Sequence, residues 1–184
     1  MSRVFALLLA AVTLLAVGPA RAQGMNFGSL FGSGFGGSGP IPRELVSFSG
    51  RYSPGTVVIS TGERRLYLVL PNGEALKYGI GVGREGFSWS GTHRITAKKE
   101  WPGWTPPSQM LARRPDLPRY MPGGIDNPLG ARAMYLGSTL YRIHGSNEPE
   151  TIGQAVSSGC FRMTNEDVTD LYNRVSVGAL VVVR

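Results

Sequence analysis

The sequence predicts a mainly β fold with one well-marked helix, and three observations lead there. Runs rich in β-branched and aromatic residues recur at 56–60, 65–70 and 75–82, a composition that suits strands. Turn signals separate them: Thr61-Gly62-Glu63 follows the first run and Asn72-Gly73 the second, the latter a strong two-residue hairpin signal. Downstream, Val168, Leu171, Tyr172 and Val175 form the one convincing set of apolar residues at helical spacing.

Taken in chain order, residues 1–22 read as an export signal. Arg3 opens it, 4–17 is an apolar run, and Ala20-Arg21-Ala22 offers a small-x-small cleavage site. Cleavage is expected after Ala22. The run is short for a membrane span, and no later stretch approaches the roughly 20 apolar residues that a span needs. The mature chain is therefore expected outside the cytoplasm without stable membrane insertion, an uncleaved anchor being the alternative. Residues 23–39 are mostly Gly and Ser with Phe27, Leu30, Phe31 and Phe35 interspersed. Such a segment buries too little apolar area to offset its ordering entropy, so a flexible leader is expected.

Residues 40–184 have the composition and length of one folded domain. The three opening runs make a meander, and further strands are expected at 92–97, 133–136, 139–143 and 179–183. Between 100 and 129 periodicity disappears among prolines and the aromatics Trp101, Trp104 and Tyr120. Fixed prolines with aromatics suit an ordered lid or groove wall. The helix is capped by Thr164 or Asn165, carries Glu166 and Asp167 in its first turn, and should pack on the sheet just after the cysteine segment.

Charge narrows the partners. The chain has 19 basic and 12 acidic residues. Arg3 and Arg21 fall in the signal, leaving 17 basic against 12 acidic residues, or +5, in the mature part. Its basic residues are scattered, with no run longer than two, so a solvated surface is favoured and no nucleic-acid partner is expected.

Cys160 is the only cysteine. In an exported protein an odd cysteine is a free reactive thiol, half of an intermolecular bridge, or a small buried hydrophobe. His144 lies sixteen residues earlier, ending the strand-like Leu140-Tyr141-Arg142-Ile143-His144. A thiol becomes a nucleophile when a base takes its proton, and imidazole suits that task near neutral pH. A loop with a short helical turn at 152–155 would bring the two together. Gly145 reads as permitting a backbone conformation closed to other residues, and its carbonyl as an acceptor for the second ring nitrogen. Gly159 suits a tight turn and close substrate approach. The N–H groups of Gly159 and Cys160 are candidates for an oxyanion site, a device contributing about 3 to 4 kcal/mol. Glu148 and Glu150 lie on a polar loop, so no acid stands out as the group orienting the imidazole.

The other histidine, His93, alternates with Ile95 and Ala97 and reads as a packed core residue. Trp89, Trp101 and Trp104 read either as packing or as a groove lining. Two histidines and one cysteine without a ligand-spaced cluster argue against zinc.

These residues also carry a family resemblance. His144-Gly145 followed by Ser157-x-Gly159-Cys160-x-Arg162-Met163 resembles the signature of the L,D-transpeptidase catalytic domain, the YkuD type, of bacterial cell-wall enzymes. Gly81-Val82-Gly83, Ser90-Gly91-Thr92 and Trp104-Thr105-Pro106-Pro107 resemble it as well, so the likeness runs from about 56 to 184. It implies a mainly β fold, a curved sandwich or open barrel with one or two short helices, and neither metal nor organic cofactor. It implies that Cys160 attacks the carbonyl between the L-centre of meso-diaminopimelate and the terminal D-alanine of a tetrapeptide stem. His144 would be base and then acid, and the amine of a second stem would resolve the thioester into a 3→3 cross-link. Gly145, Ser157 and Gly159 would shape the loop and oxyanion site, while Arg162 would order the loop or bind a substrate carboxylate. Ser158 occupies a position that often holds His, Arg or Lys in the family, so a basic contact is expected to be missing. The implied partners are peptidoglycan stem peptides, with an envelope lipoprotein as another acceptor.

Other readings share these residues. An L,D-carboxypeptidase would resolve the same thioester with water, and a lipoprotein-attaching transpeptidase with a lysine. A noncatalytic wall-binding module would keep only the fold. Papain-like peptidases place Cys before His, opposite to the order here, and a sortase would need a Thr-Leu-x-Thr-Cys segment that is absent.

Overall fold

The computed structural model describes residues 39–184, so the expected export signal and all but the last residue of the expected leader lie outside the described residues. Its first half is the expected meander. Strands β2 (Val57–Ser60), β3 (Arg65–Val69) and β4 (Glu74–Gly79) pair antiparallel. Asn72 and Gly73 both take positive φ, 65° and 73°, as the Asn-Gly signal requires. The loop also includes Pro71, and the Leu70 N–H donates to Glu74 O at 2.9 Å. Strand β1 (Glu44–Ser47) adds to the outer edge of β4.

The last strand, β11 (Leu180–Val183), runs parallel to β2 and antiparallel to β6 (Gly91–Glu100). Strand β6 turns the sheet on itself. Its first residues pair with β11, a register shift falls between Ile95 and Ala97, and the remainder pairs with β7 (Arg132–Leu136). Such an irregularity bends a strand and increases its twist. Beyond β7 come β8 (Arg142–His144) and β10 (Phe161–Arg162), while β5 (Val82–Gly83) and β9 (Ala155–Ser157) form a small parallel pair. Gly81 and Arg162 exchange both backbone hydrogen bonds, at 2.9 and 3.0 Å. The far end of the sheet thus returns to the segment after β4, giving the curved, partly closed architecture.

One core fills the curve. Val57, Leu66, Leu76 and Val181 from one arm meet Met134, Leu136, Ile143 and Phe161 from the other. Helix α2 (Asn165–Arg174) adds Val168 and Leu171 to the same cluster. The Asp167 N–H donates to the Thr164 hydroxyl at 3.1 Å, which fixes Thr164 as the cap. At the other end, Lys98 donates to the carbonyls of Tyr172 and Val175 at 2.6 and 2.7 Å, satisfying acceptors that a helix end leaves open.

Four local expectations change. The helical turn is at Pro149–Thr151, ahead of 152–155, because Gly153 takes φ 90° and the Val82 N–H draws Gln154 O into pairing beside β5. Thr139 belongs to a turn closed by its N–H to Leu136 O, so β8 begins only at Arg142. The aperiodic stretch contains helix α1 (Ser108–Arg113), whose side chains are not buried and so leave no apolar stripe in the sequence. Strands β1, β9 and β10 were not marked by pattern, being two to four residues long and defined by their partners.

Candidate active site

Parallel pairing of β8 with β10 sets Ile143 opposite Phe161 and His144 opposite Arg162. Ile143 and Phe161 are fully buried in the core. Strand alternation therefore turns Arg142, His144 and Arg162 to the opposite face, with Cys160 leading into β10. That face borders a cavity of about 810 Å³ lined by both Cys160 and His144. The Pro- and aromatic-rich stretch supplies another wall: Trp104, Pro107, Met110 and Leu117 line the cavity. Trp104 and Met121 hold this wall together through two backbone hydrogen bonds of 2.8 Å.

The loop bearing Cys160 is fixed from several sides. The Ser157 hydroxyl donates to Cys160 O at 2.6 Å and accepts from the Gly159 N–H at 3.1 Å. Trp89 donates from Nε1 to Gly159 O at 2.8 Å and stacks on Tyr141, with centroids 4.4 Å apart. Gly159 has φ 104°, and a Cβ there would meet the Tyr141 ring at 2.5 Å. Only glycine satisfies both demands. One sequence expectation changes: the Gly159 N–H is committed to Ser157. The Cys160 N–H has no hydrogen-bond partner among the described residues and is the remaining candidate of the two for an oxyanion donor.

His144 is 5% exposed, and its Nδ1 lies 2.6 Å from Gly145 O. A carbonyl only accepts, so Nδ1 carries the proton and Nε2 keeps a free lone pair. Burial pulls the imidazole pKa down to about 3, the Gly145 carbonyl opposes that, and Arg162 and Arg142 depress it further. Gly145 does not take positive φ. Its glycine is explained by crowding, since a Cβ would run into Asn165 Oδ1.

The Cys160 thiol is half-buried and donates to Leu140 O at 3.8 Å. Burial raises its pKa, while Arg142 and then Arg162 act in the opposite direction. A neutral thiol thus shares the site with a neutral imidazole. Arg162 donates to Glu148 Oε2 at 2.9 Å and to Thr151 Oγ1 at 3.3 Å, tying β10 to the 149–151 turn.

Two further cations stand at this site without a motif of their own in the sequence. Arg142 pairs directly opposite Tyr135 of the neighbouring strand β7, with its guanidinium 5.3 Å from that ring. Arg84 reaches Ser158 Oγ at 3.3 Å and lines the cavity, so a basic group stands beside Ser158 after all. No spacing rule links residue 84 to residue 158; pairing of β5 with β9 brings them together. His93 packs edge-on to Trp89 at 5.3 Å. Of the tryptophans, Trp89 supports the loop, Trp104 lines the cavity, and Trp101 is exposed at 45%. Among the described residues, no three His, Cys, Asp or Glu side chains are grouped to hold a metal ion.

The family model of the L,D-transpeptidase catalytic domain, YkuD, matches residues 54–183. The probable L,D-transpeptidase YbiS of Escherichia coli (strain K12) is 40% identical over 155 residues, 77% of this chain and 47% of the relative. The chain spans about half the length of the curated relatives it matches. A Brucella melitensis structure described as a probable carnitine operon oxidoreductase is 48% identical, covering 74% of this chain and 89% of that one, with a TM-score of 0.52. An L,D-transpeptidase from Mycobacterium smegmatis shares the fold at 18% identity and a TM-score of 0.57, over 70% of this chain and 58% of that one.

Proposed function

The chain belongs to the L,D-transpeptidase catalytic domain family, and from that premise we propose that it is a peptidoglycan L,D-transpeptidase acting in the periplasm or cell envelope. One observation carries the reading. A buried imidazole with Nδ1–H held by Gly145 O, and Nε2 left as a base, shares one cavity wall with the chain's single thiol.

Because thiol and imidazole both rest neutral, the proton moves as the bond forms. His144 Nε2 takes the Cys160 proton while Sγ attacks the carbonyl joining the L-centre of meso-diaminopimelate to terminal D-alanine. The oxyanion accepts from the Cys160 N–H. Collapse breaks the carbonyl carbon–nitrogen bond, and His144 returns its proton to the departing D-alanine amine. The side-chain amine of a second stem then attacks the thioester, loses a proton to His144 and expels the thiol. Arg162 orders the loop, since its guanidinium is already engaged by Glu148 and Thr151.

Product analysis tests the reading. The protein lacking residues 1–22 is incubated with disaccharide-tetrapeptide and products are resolved by mass spectrometry. A cross-linked dimer short of one D-alanine is the expected product. Tripeptide alone would assign the acceptor to water, and the loss of D-alanine only when a lipoprotein lysine is supplied would assign it there. Unchanged substrate both with and without the lysine would reject acyl transfer and leave a wall-binding module.

A further inference from the structure

Among the cations of the described residues, Arg142 alone combines two features, the lack of a carboxylate partner and a buried Nε without an acceptor, since Arg132, whose Nε is likewise buried, is paired with Glu100. Arg114 is paired with Asp116, Arg132 with Glu100, Arg162 with Glu148 and Arg174 with Asp170. Arg142 has no carboxylate within ion-pair distance among the described residues, and its Nε is buried without an acceptor. Leaving such a donor unmatched is costly. The cost falls at the cavity wall, which is lined by both Arg142 of β8 and Cys160, the residue just ahead of the paired strand β10. Tyr135 lies under the guanidinium, and a stacked guanidinium keeps its N–H edge available for a planar, two-oxygen partner.

Resting on the donor proposed above, we infer that Arg142 binds the free carboxylate of the donor's terminal D-alanine. With the scissile carbonyl at Cys160 Sγ, that carboxylate lies one residue beyond it, within the compass of the neighbouring strand. Arg162 is a poorer candidate because Glu148 already neutralises it. Arg142 thereby selects stems that end in a free acid directly after the scissile bond, and it loses its partner when D-alanine departs.

The test compares the tetrapeptide acid with its C-terminal amide by titration calorimetry, on Cys160→Ala protein so that no chemistry intervenes. The acid should bind about tenfold more tightly than the amide, as expected for loss of a charge-assisted pair. In the Cys160→Ala, Arg142→Met protein the two should bind alike, and Arg142→Lys should restore part of the preference. Equal binding of acid and amide with Arg142 present overturns the inference, a result that requires no Arg142 variant to fold. A preference surviving Arg142→Met overturns it too. Thioester formation on protein retaining Cys160 reports separately on the chemistry: thioester without acid preference removes only this inference, and acid preference without thioester removes only the transpeptidase reading.

Discussion

The Met163 N–H donates to the carbonyl oxygen of His144 across 2.8 Å. This bond continues the β8–β10 pairing past its last strand residue and ties the backbone after the thiol to the residue carrying the imidazole. Two strands of three and two residues could not hold such a pair alone. The Gly81–Arg162 bonds on the other side of β10 and the core contacts of Ile143 and Phe161 complete the support.

Phe161→Ala should therefore damage the site through the fold. Truncating this fully buried ring is expected to cost about 3 to 5 kcal/mol, read as a fall in the urea midpoint. Acyl-enzyme formation should drop even at temperatures where the variant remains folded.

Ser157→Ala should separate loop geometry from stability. The hydroxyl is shared by Cys160 O and the Gly159 N–H, and its removal frees both. Unfolding free energy should fall by only about 1 to 2 kcal/mol. Single-turnover acylation should slow by roughly ten- to a hundredfold, since a misplacement near 1 Å is enough for that.

The role of Arg162 is decided by its partner. If the arginine orders the loop, Glu148→Gln should slow acylation in the same direction as Arg162→Lys, because both weaken one ion pair. If Arg162 instead held substrate, freeing it through Glu148→Gln would tighten donor binding. Single-turnover rates and donor affinity for both variants distinguish these outcomes.

Much of this was legible in the chain. The meander, its Asn-Gly turn and α2 with its threonine cap are local, so propensity and periodicity exposed them. Cys160 and His144 stood out as the residues chemically able to form a nucleophile and base. Arg84 did not, because only the pairing of distant strands brings it to Ser158, whereas Arg142, two residues before His144 on one strand, shares its face by simple alternation. Gly145 shows a related gap: the sequence suggested unusual backbone geometry, whereas the constraint is the approach of Asn165 from α2. The Gly159 N–H was offered to an oxyanion because its neighbour's hydroxyl could not be oriented from sequence.

His144 should make stability fall in acid. Its folded pKa, pulled down to about 3, lies below the ordinary value of 6.5. The unfolded chain therefore binds a proton at a pH where the folded chain does not. The contribution is fully present above about pH 6.5 and is lost as pH falls toward 3, amounting to as much as about 5 kcal/mol. Urea unfolding between pH 7 and pH 4 should show the loss in the native sequence and a shallower slope in His144→Asn.

If Cys160 carries the acyl group, the covalent intermediate can be trapped. Rapid acid quench of the protein mixed with tetrapeptide donor, followed by intact mass measurement and peptide mapping, tests this most directly. An adduct equal to the donor less D-alanine is expected, located on the peptide containing Cys160 and absent from Cys160→Ala. Donor turnover by Cys160→Ala, or an adduct mapped to another residue, would contradict this assignment.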